Sequence, residues 1–174
     1  MPNASDTKSI GLAVRPAARA DMAMVAALAN EFNAAIGHGD DCYSPRKLAE
    51  YCYGDEAFLR ILVAEAVGKV RGYLTYHRGF DPFVAAPMFW IADLYVLADW
   101  RGRGFGLALM AGLADEAARC GMQSLWWAVD RDNLAGQRFY KRMGAEDFND
   151  SVYLLGGEAM GRLAAMHRMQ GNGT

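Results

Sequence analysis

The pattern of hydrophobic and polar positions divides the chain into strand-like and helix-like stretches. Apolar runs rich in aromatic and β-branched residues, or alternating with polar ones, predict strands; they lie at 10–15, 58–66, 70–78, 90–97, 124–129 and 151–155. Apolar residues at helical spacing predict helices; these lie at 21–36, 45–53, 104–121, 134–143 and 158–169. Asp21 is predicted to cap the first of them, and Ser44-Pro45 to begin the second. The order of these elements predicts the α+β (mixed α/β) class, with a mixed sheet and helices on both faces.

The chain has 174 residues. That length suits one well-buried domain better than two. We predict a single domain over 10–170, preceded by a polar, disordered tail at 1–9. An irregular loop is expected at 79–87, before the strand at 90–97.

The stretch 90–121 predicts a buried strand, a glycine-rich turn and a helix. The turn reads Arg101-Gly102-Arg103-Gly104-Phe105-Gly106. Glycines let backbone approach a ligand closely, and the first N–H groups of a helix lack intrahelical partners. Together with two arginines they predict a phosphate or diphosphate site. A solvated turn without a ligand is the alternative.

Two common phosphate loops do not fit this turn. A Walker loop ends in Gly-Lys-Ser/Thr, which is missing after the turn. The dinucleotide pattern G-x-G-x-x-G needs glycine where Leu107 or Leu109 stands.

The turn resembles the acetyl-CoA loop of the GNAT N-acetyltransferases, Arg/Gln-x-x-Gly-x-Gly/Ala, through Arg101, Gly104 and Gly106. A second block of the same family follows, with Asn133 and then Phe139-Tyr140-Lys141-Arg142-Met143-Gly144-Ala145. Within the superfamily the chain is similar to the spermidine/spermine and thialysine N-acetyltransferase branch. The resemblance implies a GNAT fold with a mostly antiparallel sheet of about seven strands, splayed between strands 4 and 5.

The resemblance also implies acetyl-CoA as co-substrate and a set of residues that bind it. Backbone groups of the strand would pair with the pantetheine amides, and the turn would hold the diphosphate. The residues implied are Leu94, Tyr95, Val96, Arg101, Gly102, Arg103, Gly104, Phe105, Gly106, Asn133 and Tyr140. The alternative role of Asn133, capping the helix that follows it, is compatible with such a contact.

Two residues are predicted to be catalytic. Tyr140 stands where the family places a tyrosine facing the departing sulfur, with a role as core filler the alternative. The branch's acidic residue is replaced by Ala92. Asp93 is therefore our first candidate base, ahead of Glu31 and Asp130; a structural role for Asp93 at the strand splay is the alternative.

Acidic and aromatic residues are candidates for binding the acceptor amine: Glu31, Asp40, Asp81, Asp93 and Trp127. Asp81-Pro82-Phe83 resembles a segment of the polyamine branch whose Asp meets a substrate ammonium. An Asp before Pro is also a common turn former.

Charge and cysteine content narrow the function classes. The net charge of −2 argues against nonspecific nucleic-acid binding. No run approaches the ~18 consecutive apolar residues of a membrane span. Three cysteines in no metal-ligand spacing predict free thiols in the cytoplasm and no metal. His38 beside Asp40 and Asp41 could suggest a metal, but a lone histidine in a glycine-rich loop is more often simply exposed.

The prediction is an N-acetyltransferase that transfers the acetyl group of acetyl-CoA to a primary amine of a small molecule, by direct attack in a ternary complex. The alternatives are a CoA-binding sensor without turnover and a protein or peptide N-acetyltransferase. A homodimer is the expectation from the resemblance.

Overall fold

A computed structural model describes residues 11–149, 152–155 and 157–171, with side chains to residue 165. The chain divides into two compact units, with the boundary between Trp127 and Ala128. The predicted tail at 1–9 lies outside the described residues.

The first unit contains one five-stranded sheet. Its strands are β1 (Ala13–Pro16), β2 (Arg60–Ala66), β3 (Lys69–Asp81), β4 (Ala86–Val96) and β5 (Ser124–Trp126). They lie side by side in chain order. The first three pairings are antiparallel and the last, between β4 and β5, is parallel. The described sheet therefore confirms the mixed fold class, with fewer strands than the seven expected.

Three α-helices lie in the described part of the first unit: α1 (Met22–Ala35), α2 (Pro45–Tyr53) and α3 (Phe105–Arg119). Short 3₁₀ helices cover Arg19–Asp21 and Ala98–Trp100. The N-terminus of α2 follows its prediction, because Pro45 is its first residue and the side chain of Ser44 accepts a hydrogen bond from the Lys47 amide. In the second unit lie α4 (Leu134–Arg142) and α5 (Gly157–Gly171).

Two helical layers cover the two faces of the sheet. A core cluster joins α1 and α2 to side chains of β2, β3 and β4, including Val63, Tyr73 and Tyr95. Leu62, the neighbour of Val63, points the other way: it lies with Val14 beside Gly112 of α3. Alternate residues of each strand thus face opposite helical layers, as the period of two requires.

A β-bulge in β4 interrupts this alternation. Thr75 pairs with Asp93, but the next residue, Tyr76, pairs with Ile91, so Ala92 is extra. Ile91 is thus level with Tyr76, which interacts with Glu116 of α3. Asp93, two residues later, instead reaches the α1/α2 face. The bulge moves the following side chains to the opposite face of the sheet.

The pairing of β4 with β5 is short. It involves only Met88 to Trp90 of β4, so residues 91–96 have an edge that β5 does not cover. The predicted separation of strands 4 and 5 therefore lies just where the bulge begins.

Three sequence predictions of local structure were wrong. Residues 152–155 form no strand, while residue 151 lies outside the described residues. The loop expected at 79–87 is reduced to residues 82–85, because both flanking strands extend into it. Asp21 does not cap α1; its carboxylate accepts from the Ala18 amide and pairs with Arg15 instead.

Candidate active site

The glycine-rich turn places two residues in the left-handed region. Gly102 has φ +72° and Gly104 has φ +88°, a conformation that L side chains rarely adopt. Gly104 is the residue before α3, so the chain passes from the turn directly into the helix. The first intrahelical bond runs from the Ala108 amide to the Gly104 carbonyl. The amides of residues 105–107 therefore lie at the helix start without intrahelical acceptors.

The arginine and aromatic side chains of the turn make contacts within the protein. Arg101 donates from Nε to the Val96 carbonyl at 2.9 Å, which ties the turn to β4. The guanidinium of Arg103 lies 5.3 Å from the centroid of the Trp100 ring. Phe105 is 1% exposed, so only its backbone is available to a ligand.

The uncovered edge of β4 presents a defined set of backbone groups. The Leu97 amide bonds to the Arg71 carbonyl, and antiparallel pairs alternate between bonded and non-bonded. By this alternation Tyr95 directs its amide and carbonyl to β3, whereas Leu94 and Val96 direct theirs to the open edge. The Val96 carbonyl already accepts a hydrogen bond from Arg101. The groups at the open edge that remain for a ligand are therefore the amide and carbonyl of Leu94 and the amide of Val96.

Asp93 lies on the α1/α2 face between two tyrosine hydroxyls. Tyr43, in the loop before α2, donates to Oδ2 at 3.3 Å, and Tyr73 of β3 donates to the same oxygen at 3.2 Å. Among the described residues no hydrogen bond to Oδ1 is found. One oxygen of the carboxylate is therefore held by the protein and the other is left to accept a proton.

Burial is the largest influence on the pKa values of this cluster. It raises the pKa of Asp93 above the ordinary value, although the two tyrosine hydroxyls act in the opposite direction. Burial, followed by the charge of Asp93, raises the pKa of Tyr43 to about 12 and that of Tyr73 further. Both tyrosines consequently stay protonated donors, and Asp93 is the group that exchanges a proton most readily.

Glu31 joins the neighbouring tyrosine of the same face. The hydroxyl of Tyr95 donates to Glu31 Oε1 at 2.7 Å, and the Tyr95 ring lies 6.4 Å from that of Tyr73. Glu31 itself is exposed. The structure thus brings the predicted Glu31 and Asp93 onto one face, each bonded to a tyrosine.

In the second unit, Asn133 immediately precedes α4 and Tyr140 lies within it. The Asn133 side chain accepts from the Gly136 amide at 2.8 Å and so caps the helix, as its alternative role required. Tyr140 lies half-buried beside Phe139, with 5.2 Å between the ring centroids. Burial raises the pKa of the Tyr140 phenol, which keeps it protonated at neutral pH.

Asp81 has a well-defined structural role. Its buried carboxylate accepts from Ser124 Oγ at 2.6 Å, Trp126 Nε1 at 3.0 Å and the Phe83 amide at 3.0 Å. These donors hold its pKa below the ordinary value, with the Ser124 hydroxyl contributing most. Asp81 therefore joins the β3–β4 turn to β5, and its contact with an acceptor amine stays a prediction.

The remaining acceptor candidates are Asp40 and Trp127. Asp40 is exposed in the loop after α1, and Trp127 is half-buried immediately after β5. Within the described part of the chain, no group of three His, Cys, Asp or Glu residues is placed to hold a metal ion. Among the described helices, none is both long enough and apolar enough to cross a bilayer.

Sequence reasoning missed Asn30, Tyr43 and Tyr73 as members of the site. Tyr73 reads as an ordinary buried strand residue, and Tyr43 only precedes a helix start. The one available signal was the Ser44-Pro45 start of α2, which places Tyr43 at the end of a loop returning to the sheet.

The residues present fit acetyl-CoA. Coenzyme A carries a diphosphate and a pantetheine arm with two amides. The left-handed turn and the start of α3 offer amides for the former, and the open edge of β4 offers Leu94 and Val96 for the latter.

Comparison with known proteins agrees with this fit. The profile of the acetyltransferase (GNAT) family matches residues 25–145. The chain is 30% identical to mouse thialysine N-epsilon-acetyltransferase over 123 residues, covering 64% of this chain and 72% of the mouse protein. It is 30% identical to L-ornithine N5-acetyltransferase of Arabidopsis thaliana over 81 residues, 47% of this chain and 36% of the length of that relative.

A solved structure shows the same fold over most of the chain. It is an integron cassette protein from the mobile metagenome of V. cholerae, 25% identical, with a TM-score of 0.73 over 88% of this chain and 97% of that one. The family profile, the open edge of β4 and the glycine turn lead to one conclusion: the chain belongs to the acetyltransferase (GNAT) family, the acetyl-CoA-dependent N-acetyltransferases.

Proposed function

We propose that this protein transfers the acetyl group of acetyl-CoA to a primary amine of a small molecule, by direct attack of the amine within a ternary complex. The observation that carries this proposal is the half-buried Asp93 carboxylate beside the open edge of β4. It supplies a proton acceptor next to the backbone groups proposed to hold the pantetheine arm.

Deprotonation of the acceptor is the first task. A primary ammonium has a pKa near ~10.4, so freeing its lone pair at neutral pH requires roughly 4–5 kcal/mol. Asp93 takes that proton on Oδ1, while Tyr43 and Tyr73 hold Oδ2. A raised pKa brings the carboxyl closer to working pH and improves it as a base.

Bond formation and bond cleavage follow. The amine nitrogen bonds to the carbonyl carbon of the thioester, and the carbon–sulfur bond breaks. A β4 amide, that of Leu94 or Val96, donates to the carbonyl oxygen as negative charge develops there. The Tyr140 hydroxyl gives its proton to the departing sulfur, and the second proton lost by the attacking nitrogen returns to the Tyr140 oxygen through solvent. The products are an N-acetyl amine and free coenzyme A.

The nature of the acceptor is proposed from the relatives. Thialysine and ornithine, named in the two curated relatives, are amino acids whose side chains end in a primary amine. We propose acceptors of this kind, with Glu31, Asp40 and Trp127 among the residues that contact them. By resemblance the protein would act as a homodimer, and its place in the cytoplasm stays a prediction.

Release of free thiol on mixing the protein with acetyl-CoA and one amine at a time tests the proposal. The panel comprises ornithine, thialysine, spermidine, an aminoglycoside and a peptide with a free N-terminus. Amine-dependent thiol release that Asp93→Asn lowers at least a hundredfold supports the proposal. Binding of coenzyme A with no release from any amine would instead favour the sensor, and release with the peptide alone a protein N-acetyltransferase.

A further inference from the structure

The loop between α1 and α2 is attached to α1 by a reciprocal pair of hydrogen bonds. Asn30 donates from Nδ2 to the Tyr43 carbonyl at 2.9 Å, and its Oδ1 accepts from the Tyr43 amide at 2.8 Å. A single side chain therefore fixes both backbone groups of Tyr43. A surface loop with neither bond would leave the orientation of that residue open.

Fixing the Tyr43 backbone also fixes its hydroxyl. The ring is half-buried and reaches across to β4, where the hydroxyl donates to Asp93 Oδ2. The next residue, Ser44, caps α2, so the loop is held on both sides of Tyr43. The path from Asn30 to Asp93 is thus one continuous set of described contacts.

The carboxylate of Asp93 is held asymmetrically. Tyr43 and Tyr73 approach Oδ2 from two elements, the loop and β3, and no described donor reaches Oδ1. A carboxylate that accepts two hydrogen bonds at one oxygen cannot rotate freely. The direction of the lone pairs on the other oxygen is therefore fixed. Oδ1 then lies in a constant position for an incoming ammonium.

We propose that Asn30 and Tyr43 act as positioning residues for the acetyl transfer: they hold Asp93 by Oδ2 and thereby set the pH at which it becomes an effective base. This inference rests on the proposed function of Asp93. The other ionisable groups on this face are Tyr73, the Tyr95–Glu31 pair and Cys42, which adjoins Tyr43. Removing the Tyr43 hydroxyl changes the hydrogen bonding of Asp93 and leaves these groups in place.

The test is the pH profile of kcat/KM for amine-dependent thiol release by the full chain. A donor to a carboxylate stabilises its ionised form. Tyr43→Phe should therefore move the acid limb of the profile to higher pH by about 0.5 to 1 unit, with the KM for acetyl-CoA unchanged. Asn30→Ala, which frees the loop, should move it in the same direction.

Tyr53→Phe is the matched control. Its hydroxyl donates to the Ala17 carbonyl and has no bond to Asp93, although it lies in α2 of the same layer. The acid limb of the kcat/KM profile should lie at the same pH in Tyr53→Phe as in wild type. An acid limb identical in Tyr43→Phe, Tyr53→Phe and wild type would overturn the positioning role.

Asp93→Asn distinguishes a failure of the positioning role from a failure of the proposed function of Asp93. If Asp93→Asn abolishes the acid limb while Tyr43→Phe leaves it in place, the base is correct and the positioning role is wrong. If Asp93→Asn retains wild-type turnover and the same limb, the proposed function of Asp93 fails and the inference fails with it. Should Asn30→Ala not fold, Tyr43→Phe alone still decides the outcome.

Discussion

The hydroxyl of Tyr43 lies 3.3 Å from Oδ2 of Asp93, although 50 positions separate the two residues in the chain. The contact depends on the bulge at Ala92, which moves Asp93 to the face that Tyr43 occupies. Ala92 also stands where the related branch carries its acidic residue, and it is exposed. The proposed base, Asp93, is therefore a half-buried carboxylate on the opposite side of that position, and it accepts hydrogen bonds from two tyrosines.

Tyr140→Phe removes the proposed proton donor to the sulfur. Turnover should fall about 10²-fold, since a positioned acid contributes on that order or more. The KM for acetyl-CoA should stay nearly constant, because a single hydroxyl is lost. Steady-state kinetics with a saturating amine measure both values, and an unchanged kcat would remove Tyr140 from the mechanism.

Gly104→Ala strains the turn that is proposed to hold the diphosphate. An alanine at φ +88° costs about 1–2 kcal/mol, and the turn is expected to move to relieve it. The KM for acetyl-CoA should rise about tenfold, as a loss of ~1.4 kcal/mol implies.

Gly121→Ala is the control for this strain. Gly121 follows α3 with φ +71°, so alanine there meets a similar backbone cost away from the turn. Both variants should lose similar stability in thermal melts, and only Gly104→Ala should raise the KM for acetyl-CoA. Equal effects on KM would mean that the turn does not bind the co-substrate.

Asp93→Asn should change stability with pH in a characteristic direction. The folded state binds the Asp93 proton more tightly than the unfolded chain, because burial raises its pKa above the ordinary 3.8. Stability therefore falls as the pH rises from about that value through the raised one. The variant should melt at or above the wild-type temperature at pH 7, and this difference should shrink toward pH 4.

Thermal melts from pH 4 to pH 8 measure the difference. A variant that is much less stable than wild type at pH 7, with the gap closing on acidification, would mean that the ionised carboxylate stabilises the fold. Asp93 would then be structural.

Asp81→Asn should lower stability by removing an ionised acceptor from Ser124 and Trp126. The pKa of Asp81 is lowered in the folded state, so its contribution is present above the ordinary carboxyl pKa and disappears as the pH falls through the lowered value. We expect a melting temperature several degrees lower at pH 7 and a changed tryptophan emission.

Asp115→Asn is the matched control for Asp81. Asp115 forms an exposed pair with Arg119 within α3, and such pairs contribute little. Its melting temperature should stay close to that of wild type. Equal melting temperatures for both variants would show that Asp81 does not hold β5 to the β3–β4 turn.

Local patterns in the chain were sufficient for most elements and for the turn. The helix beginning at Pro45, the glycine turn before α3 and the cap at Asn133 depend on residues within four positions of one another. Propensity, capping and backbone sterics act over that range. The family resemblance likewise uses contiguous blocks.

What the sequence by itself determined is therefore the element order, the family and the glycine-rich turn. Only the tertiary structure decided which oxygen of Asp93 is free, which strand groups face the open edge, and that Tyr43, Tyr73 and Asn30 belong to the site. A one-residue bulge reverses the facing of every later side chain, and hydrogen bonds between residues 50 apart leave no periodic trace in the chain. Such facts depend on the relative placement of strands, which the physics of short segments does not specify.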